Sequence, residues 1–137
     1  MLRISQDQIA SRVDTDDAFA EWYIQDVLRN HFPQDYWALS DESKREMVLN
    51  GRSYARSFGL TKNESQARFV TLMWLIGPNF YHFDGYSHAL AEQNLTETMR
   101  LDKCFDLQKD LAVVAIQGAD ALYWYPHMVA LRNERSV

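Results

Sequence analysis

This chain is poor in residues that cross-link or interrupt a fold. Its 137 residues include one cysteine, three prolines and five glycines. The single cysteine, Cys104, excludes an intrachain disulfide, and its place in an apolar helical pattern predicts a small buried side chain. A catalytic thiol needs a histidine and an orienting group nearby, and no motif in the chain supplies them.

Long apolar runs are also missing. The longest uninterrupted apolar stretch, residues 72–77, is far too short to span a bilayer. The N-terminal residues contain no apolar run of signal-peptide length. These features predict no membrane association and a protein that starts its life in the cytoplasm.

Positive charge is scarce as well. The chain has 14 basic and 19 acidic residues, which gives a net charge of -5. Nucleic-acid backbones attract clustered Lys and Arg, and the chain has no such cluster, so nucleic-acid binding is disfavoured. The acidic balance instead favours a basic protein partner.

Motifs that specify a reaction are absent too. No G-x-S-x-G, P-loop, H-E-x-x-H or G-x-G-x-x-G pattern occurs. The best metal candidates are His82, Asp84 and His88, because two imidazoles and a carboxylate can form an open site. Their spacing matches no known ligand motif. We therefore predict no catalytic residue, cofactor or metal, and keep a small metal-dependent enzyme using these three side chains as an alternative of another class.

What the chain does have is apolar residues at helical spacing. The hydrophobic fraction is 47% and the aromatic fraction 13%, enough to bury a core. No sustained period-two alternation and no strand-flanked hairpin turn occurs. The sequence predicts one all-α domain over residues 1–137, a compact orthogonal bundle of about five or six helices, with a polar tail at about 128–137.

Capping residues predict where the first helix begins and ends. Ser5 and Gln8 form a capping box at its start, and it should end near Asn30, ahead of Pro33. An acidic cluster within that span either faces solvent or marks a break: Asp14, Asp16 and Asp17.

Similar signals divide the next segment. Residues 36–39 predict a helical turn, and Ser40 predicts the N-cap of the helix that follows. Gly59 is suited to the end of that helix, with Leu60 placed for the hydrophobic contact of a Schellman motif.

The most informative segment is residues 61–86. Thr61 predicts a cap for a helix over 62–76, which is apolar on almost every side and is therefore expected to be the buried central helix. The Gly-Pro pair at 77–78 stops it, and an aromatic loop follows at 79–86.

Three more helices are predicted after the aromatic loop. A short one spans 87–92, and a long one begins at Thr96 and is interrupted by Gly118. Another covers 119–125, ahead of Pro126.

The aromatic loop and a second aromatic run at 123–125 are candidates for a binding surface. Some of these rings can fold back as a lid of the core, and others can be exposed, since Tyr and Phe are enriched at interface cores. Three consecutive aromatics on a helix point in different directions, so at least one of the second run should face away from the core. The predicted partner-binding residues are Phe80, Tyr81, His82, Phe83, Tyr86, Tyr123, Trp124 and Tyr125.

Several of these segments resemble small helical proteins encoded in bacterial type VI secretion gene clusters, near spike and effector genes. The resemblance covers the chain from its start to the aromatic loop. The segments that carry it are 1–5, 31–33, 59–61, 67–73 and 77–80. It implies an accessory role without catalysis: an adaptor or chaperone for a cognate effector or spike protein, or an immunity protein that neutralises a toxin. A homodimer held by the same aromatic residues is a further alternative.

Overall fold

All regular secondary structure in the part described by the computed structural model, residues 14–135, is helical. This confirms the all-α prediction. The chain forms two compact units, the first ending at Val70 and the second beginning at Thr71. One domain over 1–137 therefore stays a prediction. The capping box at Ser5 and Gln8 lies outside the described residues.

The described part of the first unit begins with three helical segments that follow one another without a gap. Thr15 caps the first of them, because its Oγ1 accepts a hydrogen bond from the backbone N–H of Ala18 at 3.2 Å. The acidic cluster therefore marks a helix start, and the predicted end near Asn30 is confirmed. The segments are α1 (Asp16–Trp22), a π-helix (Tyr23–Leu28) and α2 (Arg29–His31).

Two further helices follow in this unit. Pro33 occupies the first position of α3 (Pro33–Ala38), where its missing N–H costs nothing. Ser40 caps α4 (Asp41–Ser57), as predicted, by accepting a hydrogen bond from the N–H of Ser43 at 3.1 Å. Both α1 and the π-helix pack on α4. Fully buried apolar side chains at these contacts include Phe19, Tyr23, Leu28, Val48 and Ala55.

The end of α4 confirms the predicted Schellman motif. The N–H of Leu60 donates to the carbonyl of Ala55 at 3.2 Å, and that of Gly59 to the carbonyl of Arg56 at 2.9 Å. Gly59 has a φ of +79°, a conformation that favours glycine. Leu60 is fully buried, so the turn both ends the helix and contributes to the core.

Helix α5 (Asn63–Leu75) lies one residue inside each predicted end, and most of its apolar side chains are buried. Its last residue, Leu75, is exposed. The boundary between the two units, after Val70, falls inside this helix. The central position of the helix stays a prediction.

The second unit contains more helical segments than the sequence predicts. Cys104 is buried on one of them, which confirms the expectation for this side chain. The segments are a 3-10 turn (Phe80–His82), α6 (Tyr86–Ala91), α7 (Glu97–Phe105), α8 (Lys109–Gln117), a second 3-10 turn (Ala121–Trp124) and α9 (Pro126–Arg135).

The long helix predicted from Thr96 is wrong as one continuous element. Thr96 does cap α7, accepting a hydrogen bond from the N–H of Met99 at 3.1 Å, but the helix ends at Phe105. The break brings Leu107 against Gly85, where a Cβ would lie 3.0 Å from Leu107 Cδ1. The break thus coincides with packing of Leu107 on Gly85, a tertiary contact that the local pattern does not contain.

The C-terminal region also differs from the prediction. The expected polar tail at 128–137 is helical as far as Arg135, and the helix expected at 119–125 is reduced to a 3-10 turn. Helix α9 starts at Pro126, whose fixed φ suits a first helical position. Arg132 ties it to the preceding turn, donating to Asp120 Oδ2 at 2.8 Å.

Candidate functional site

Half of the predicted partner-binding side chains are part of the core. Phe80, Tyr81, Tyr86 and Trp124 are all buried. The ring of Phe80 meets those of Tyr81 and Tyr86 edge-on at 5.4 and 5.5 Å between centroids. These four rings therefore stabilise the fold, and their burial removes them from the accessible surface.

The other half remain accessible and define what we call the aromatic surface: His82, Phe83, Tyr123 and Tyr125. The His82 ring lies edge-on to Tyr123, 5.0 Å between centroids. The Arg132 guanidinium stands 5.7 Å from the centre of the Tyr123 ring. Tyr123 and Tyr125 are half-buried beside buried Trp124, which agrees with the expectation that three consecutive aromatics cannot all face the core.

Asn79 brings the two predicted aromatic regions together. Its Nδ2 donates to the carbonyl of Gly118 at 3.1 Å, and its Oδ1 accepts from the N–H of Asp120 at 3.0 Å. Nearby, a Cβ at Gly77 would lie 2.7 Å from Cβ of Ala119. This close approach requires glycine at 77, so the Gly-Pro pair positions the aromatic surface as well as stopping α5.

Gly118 has a second role that the sequence does not reveal. A Cβ at this position would lie 2.4 Å from Cζ of Phe83. The Phe83 ring therefore packs directly on the bare backbone just after α8. The sequence predicts Gly118 as a helix interruption, whereas its contact with the ring depends on the tertiary structure.

Arg132 and Asp120 form an ion pair beside the aromatic surface. Arg132 donates to Asp120 Oδ2 at 2.8 Å, and the N–H of Leu122 donates to Oδ1 at 3.0 Å. The Arg132 hydrogen bond, followed by that from Leu122, holds the pKa of Asp120 below its usual range. The same hydrogen bond raises the pKa of Arg132. This carboxylate therefore stays charged at neutral pH and serves as a structural partner for Arg132.

Helix α8 presents apolar side chains to solvent. Val113, Val114 and Ile116 are exposed, Val114 by 56%, and Ala115 is the buried side chain of this helix. Val113 and Val114 line a shallow groove together with the polar N-terminal residues of α8. We call Val113, Val114 and Ile116 the α8 face. The exposure of these three side chains was not predicted from the sequence.

The metal candidates do not form a metal-binding cluster. His82, Asp84 and His88 are exposed, and no group of three or more His, Cys, Asp or Glu side chains within residues 14–135 is arranged to hold a metal ion. His82 instead contacts the rings of Tyr81 and Tyr123. A metal-dependent enzyme would need these three side chains to form one group around a metal ion, and in the described part of the chain they do not.

Within the described part of the chain, no helix is both long and apolar enough to traverse a bilayer.

Neither protein-family models, nor curated protein sequences, nor solved structures match the chain significantly.

Proposed function

We propose that this chain is a non-enzymatic accessory protein of bacterial type VI secretion, which binds a cognate effector or spike protein as an adaptor or chaperone. The secretion context comes from the resemblance described above. The observation that carries the binding role is the α8 face, because contiguous exposed apolar side chains on a folded domain are typical of interaction sites.

The chemistry of the α8 face suits a protein partner. Val113 and Val114 form an apolar centre, and Lys109 and Asp110 lie beside them at the start of the helix. An apolar centre with a polar rim is the usual anatomy of a protein interface. A partner helix or loop that covers these valines removes them from water, and this burial favours association.

The aromatic surface extends this site. Phe83 packs on Gly118, the residue that follows the last residue of α8. Tyr123 lies next to His82, which precedes Phe83 in the chain. Aromatic side chains held in place by their neighbours contribute strongly to binding, since little side-chain entropy is lost when they are covered. We therefore include the accessible aromatic residues in the proposed contact area.

The test uses the effector and spike proteins encoded in the same gene cluster as probes. Their binding to the full chain is measured by calorimetry. Val114→Glu places a charge in the centre of the α8 face and should weaken binding at least about tenfold. Thr98→Glu adds the same charge at an exposed position of α7 and should change affinity by less than about twofold. If neither probe binds, or Val114→Glu binds like the wild type, the proposal fails.

An immunity protein is the second candidate, and the net charge of -5 favours it. An acidic protein is complementary to a basic toxin, such as many nucleases. Deleting the gene separates the two roles. An adaptor predicts that effector export is lost while the cells stay viable. An immunity protein predicts self-intoxication with export intact, relieved by inactivating the toxin.

A further inference from the structure

The first unit carries another exposed aromatic site, centred on Trp37. This side chain is 72% exposed, more than any other large hydrophobic side chain in the described part of the chain. It lies on α3, a helix with no buried residue in this structure. Trp37 therefore contributes little to the core.

Tyr36, the residue before Trp37, is held in place by contacts with several side chains. The Tyr36 ring meets the Trp37 ring edge-on, 4.9 Å between centroids. Buried Lys44 places its Nζ 3.9 Å from the centre of the Tyr36 ring and donates to the Tyr36 carbonyl at 3.0 Å. The Tyr36 hydroxyl donates to Gln25 Oε1 at 3.4 Å. A fixed Tyr36 restricts the Trp37 ring before any partner arrives, which lowers the entropy lost on binding.

The guanidinium of Arg29 lies beside the rings of Tyr36 and Trp37. Arg29 lies 5.6 Å from the centre of the Tyr36 ring and 5.9 Å from that of Trp37. Within residues 14–135, no carboxylate forms an ion pair with Arg29, in contrast to Arg45 and Arg56 of the same unit, which pair with Asp17 and Asp16. Arg29 is also an exposed residue.

We propose that Arg29 and Trp37 form a docking site for an acidic segment of a partner protein. A partner carboxylate accepts hydrogen bonds from the Arg29 fork, whose planar geometry matches two carboxylate oxygens. An adjacent apolar or aromatic side chain of the partner covers Trp37. Charge complementarity selects this occupant, because an exposed cation that has no ion-pair partner among residues 14–135 gains most from an incoming anion. Trp, Tyr and Arg are also the residues most enriched at binding hot spots.

This inference goes beyond the proposed function. The site belongs to the first unit and shares no residue with the α8 face or the aromatic surface. An experiment can therefore refute this docking site without refuting the proposed function, and the reverse. The docking site also predicts the opposite preference from the net charge of -5: the molecule as a whole favours basic partners, whereas this site favours acidic ones.

The test probes the full chain with a phage-displayed library of random short peptides. Enriched peptides should combine Asp or Glu with a neighbouring aromatic or large aliphatic residue. Affinities of the synthesised peptides are then measured for a set of variants. Trp37→Ala and Arg29→Gln should each weaken binding about tenfold or more. Arg29→Lys keeps the charge but loses the fork, and should retain only part of the affinity.

His31→Gln is the matched control. His31 is exposed on the same short helix as Arg29, two residues along and so on a different face. This variant should bind the peptides like the wild type. Thermal unfolding of Trp37→Ala should match that of the wild type, since the replaced ring is largely exposed, so lost binding is not explained by lost folding.

Three outcomes overturn the proposal. The first is a library selection that enriches no peptides, or enriches peptides without carboxylates. The second is binding that does not change in Arg29→Gln. The third is a concentration-dependent dimer that Trp37→Ala dissolves, because the ring would then be covered by a second copy of the chain.

Discussion

At the scale of single residues, Arg52 is a buried cation of the first unit that bonds to several other side chains. It is 2% exposed. Its Nε donates to Gln66 at 2.7 Å, its Nη1 to Asp16 at 3.0 Å, and its Nη2 to Asn63 at 2.8 Å, while the guanidinium lies 4.3 Å from the centre of the Phe19 ring. Desolvation lowers the pKa of Arg52, but an arginine remains charged at neutral pH. One buried cation therefore connects α4 to the starts of α1 and α5.

Replacing Arg52 should destabilise the protein strongly. Arg52→Ala removes a buried charge and leaves the amides of Asn63 and Gln66 without this donor, so we expect a loss of about 3 kcal/mol or more in the free energy of unfolding. Urea denaturation measures this loss.

Arg56→Ala is the matched control for this prediction. Arg56 contacts the same carboxylate, Asp16, at 3.4 Å, but its side chain is 48% exposed. Its removal should cost at most about 1 kcal/mol, the usual range for exposed ion pairs. Equal losses in the two variants would show that burial of Arg52 adds nothing beyond the surface ion pair.

At the scale of secondary-structure elements, some helix ends are set by the local sequence and others have no local signal. Ser40 and Gly59 act where the sequence places them, because capping satisfies backbone groups within the same turn. The π-helix at Tyr23–Leu28 and the break between α7 and α8 were not predicted. Neither has a glycine or proline to mark it. The break coincides with packing of Leu107 on Gly85.

Two glycines at the ends of helices should respond differently to alanine. Gly59 has a φ of +79° but nothing within 4 Å of an added Cβ, so Gly59→Ala should cost about 1 kcal/mol from backbone strain alone. Gly118 has a φ of -91°, which any residue adopts, but its Cβ would meet the Phe83 ring. Gly118→Ala should therefore displace Phe83.

NMR separates these two effects. In Gly118→Ala, the aromatic signals of Phe83 should shift, together with those of Tyr123 on the same surface. In Gly59→Ala they should be unchanged, although the protein is less stable. Unaltered Phe83 signals in Gly118→Ala would contradict the packing described for this ring.

At the scale of the whole molecule, α5 is the element that both units contain. The boundary falls between Val70 and Thr71, in the middle of a continuous helix. Unfolding α5 would expose Phe69 and Val70 from the first unit and Leu72 and Met73 from the second, all of which are buried. Neither unit keeps its full set of core residues when this helix melts.

The two units should therefore unfold together, as the prediction of one domain requires. Native-state hydrogen exchange, resolved by peptide, should give the same maximal opening free energy for slow amides of α4 and of α7. As the denaturant concentration rises, the opening free energies of α4 and α7 should fall with the same slope. An α7 that opens well below the free energy of α4 would instead show that the two compact units are separate domains.

The sequence by itself determined the helical class, both ends of α4 and of α5 to within one residue or two, the start of α7, and the burial of Cys104, because helical periodicity and capping act within about four residues. Only the tertiary structure decided which aromatic rings are accessible and that α8 faces solvent. Those features depend on contacts between distant positions, such as the hydrogen bond from Asn79 to Gly118, which are 39 residues apart. Burial is a property of the surroundings of a side chain, and no local pattern contains those surroundings.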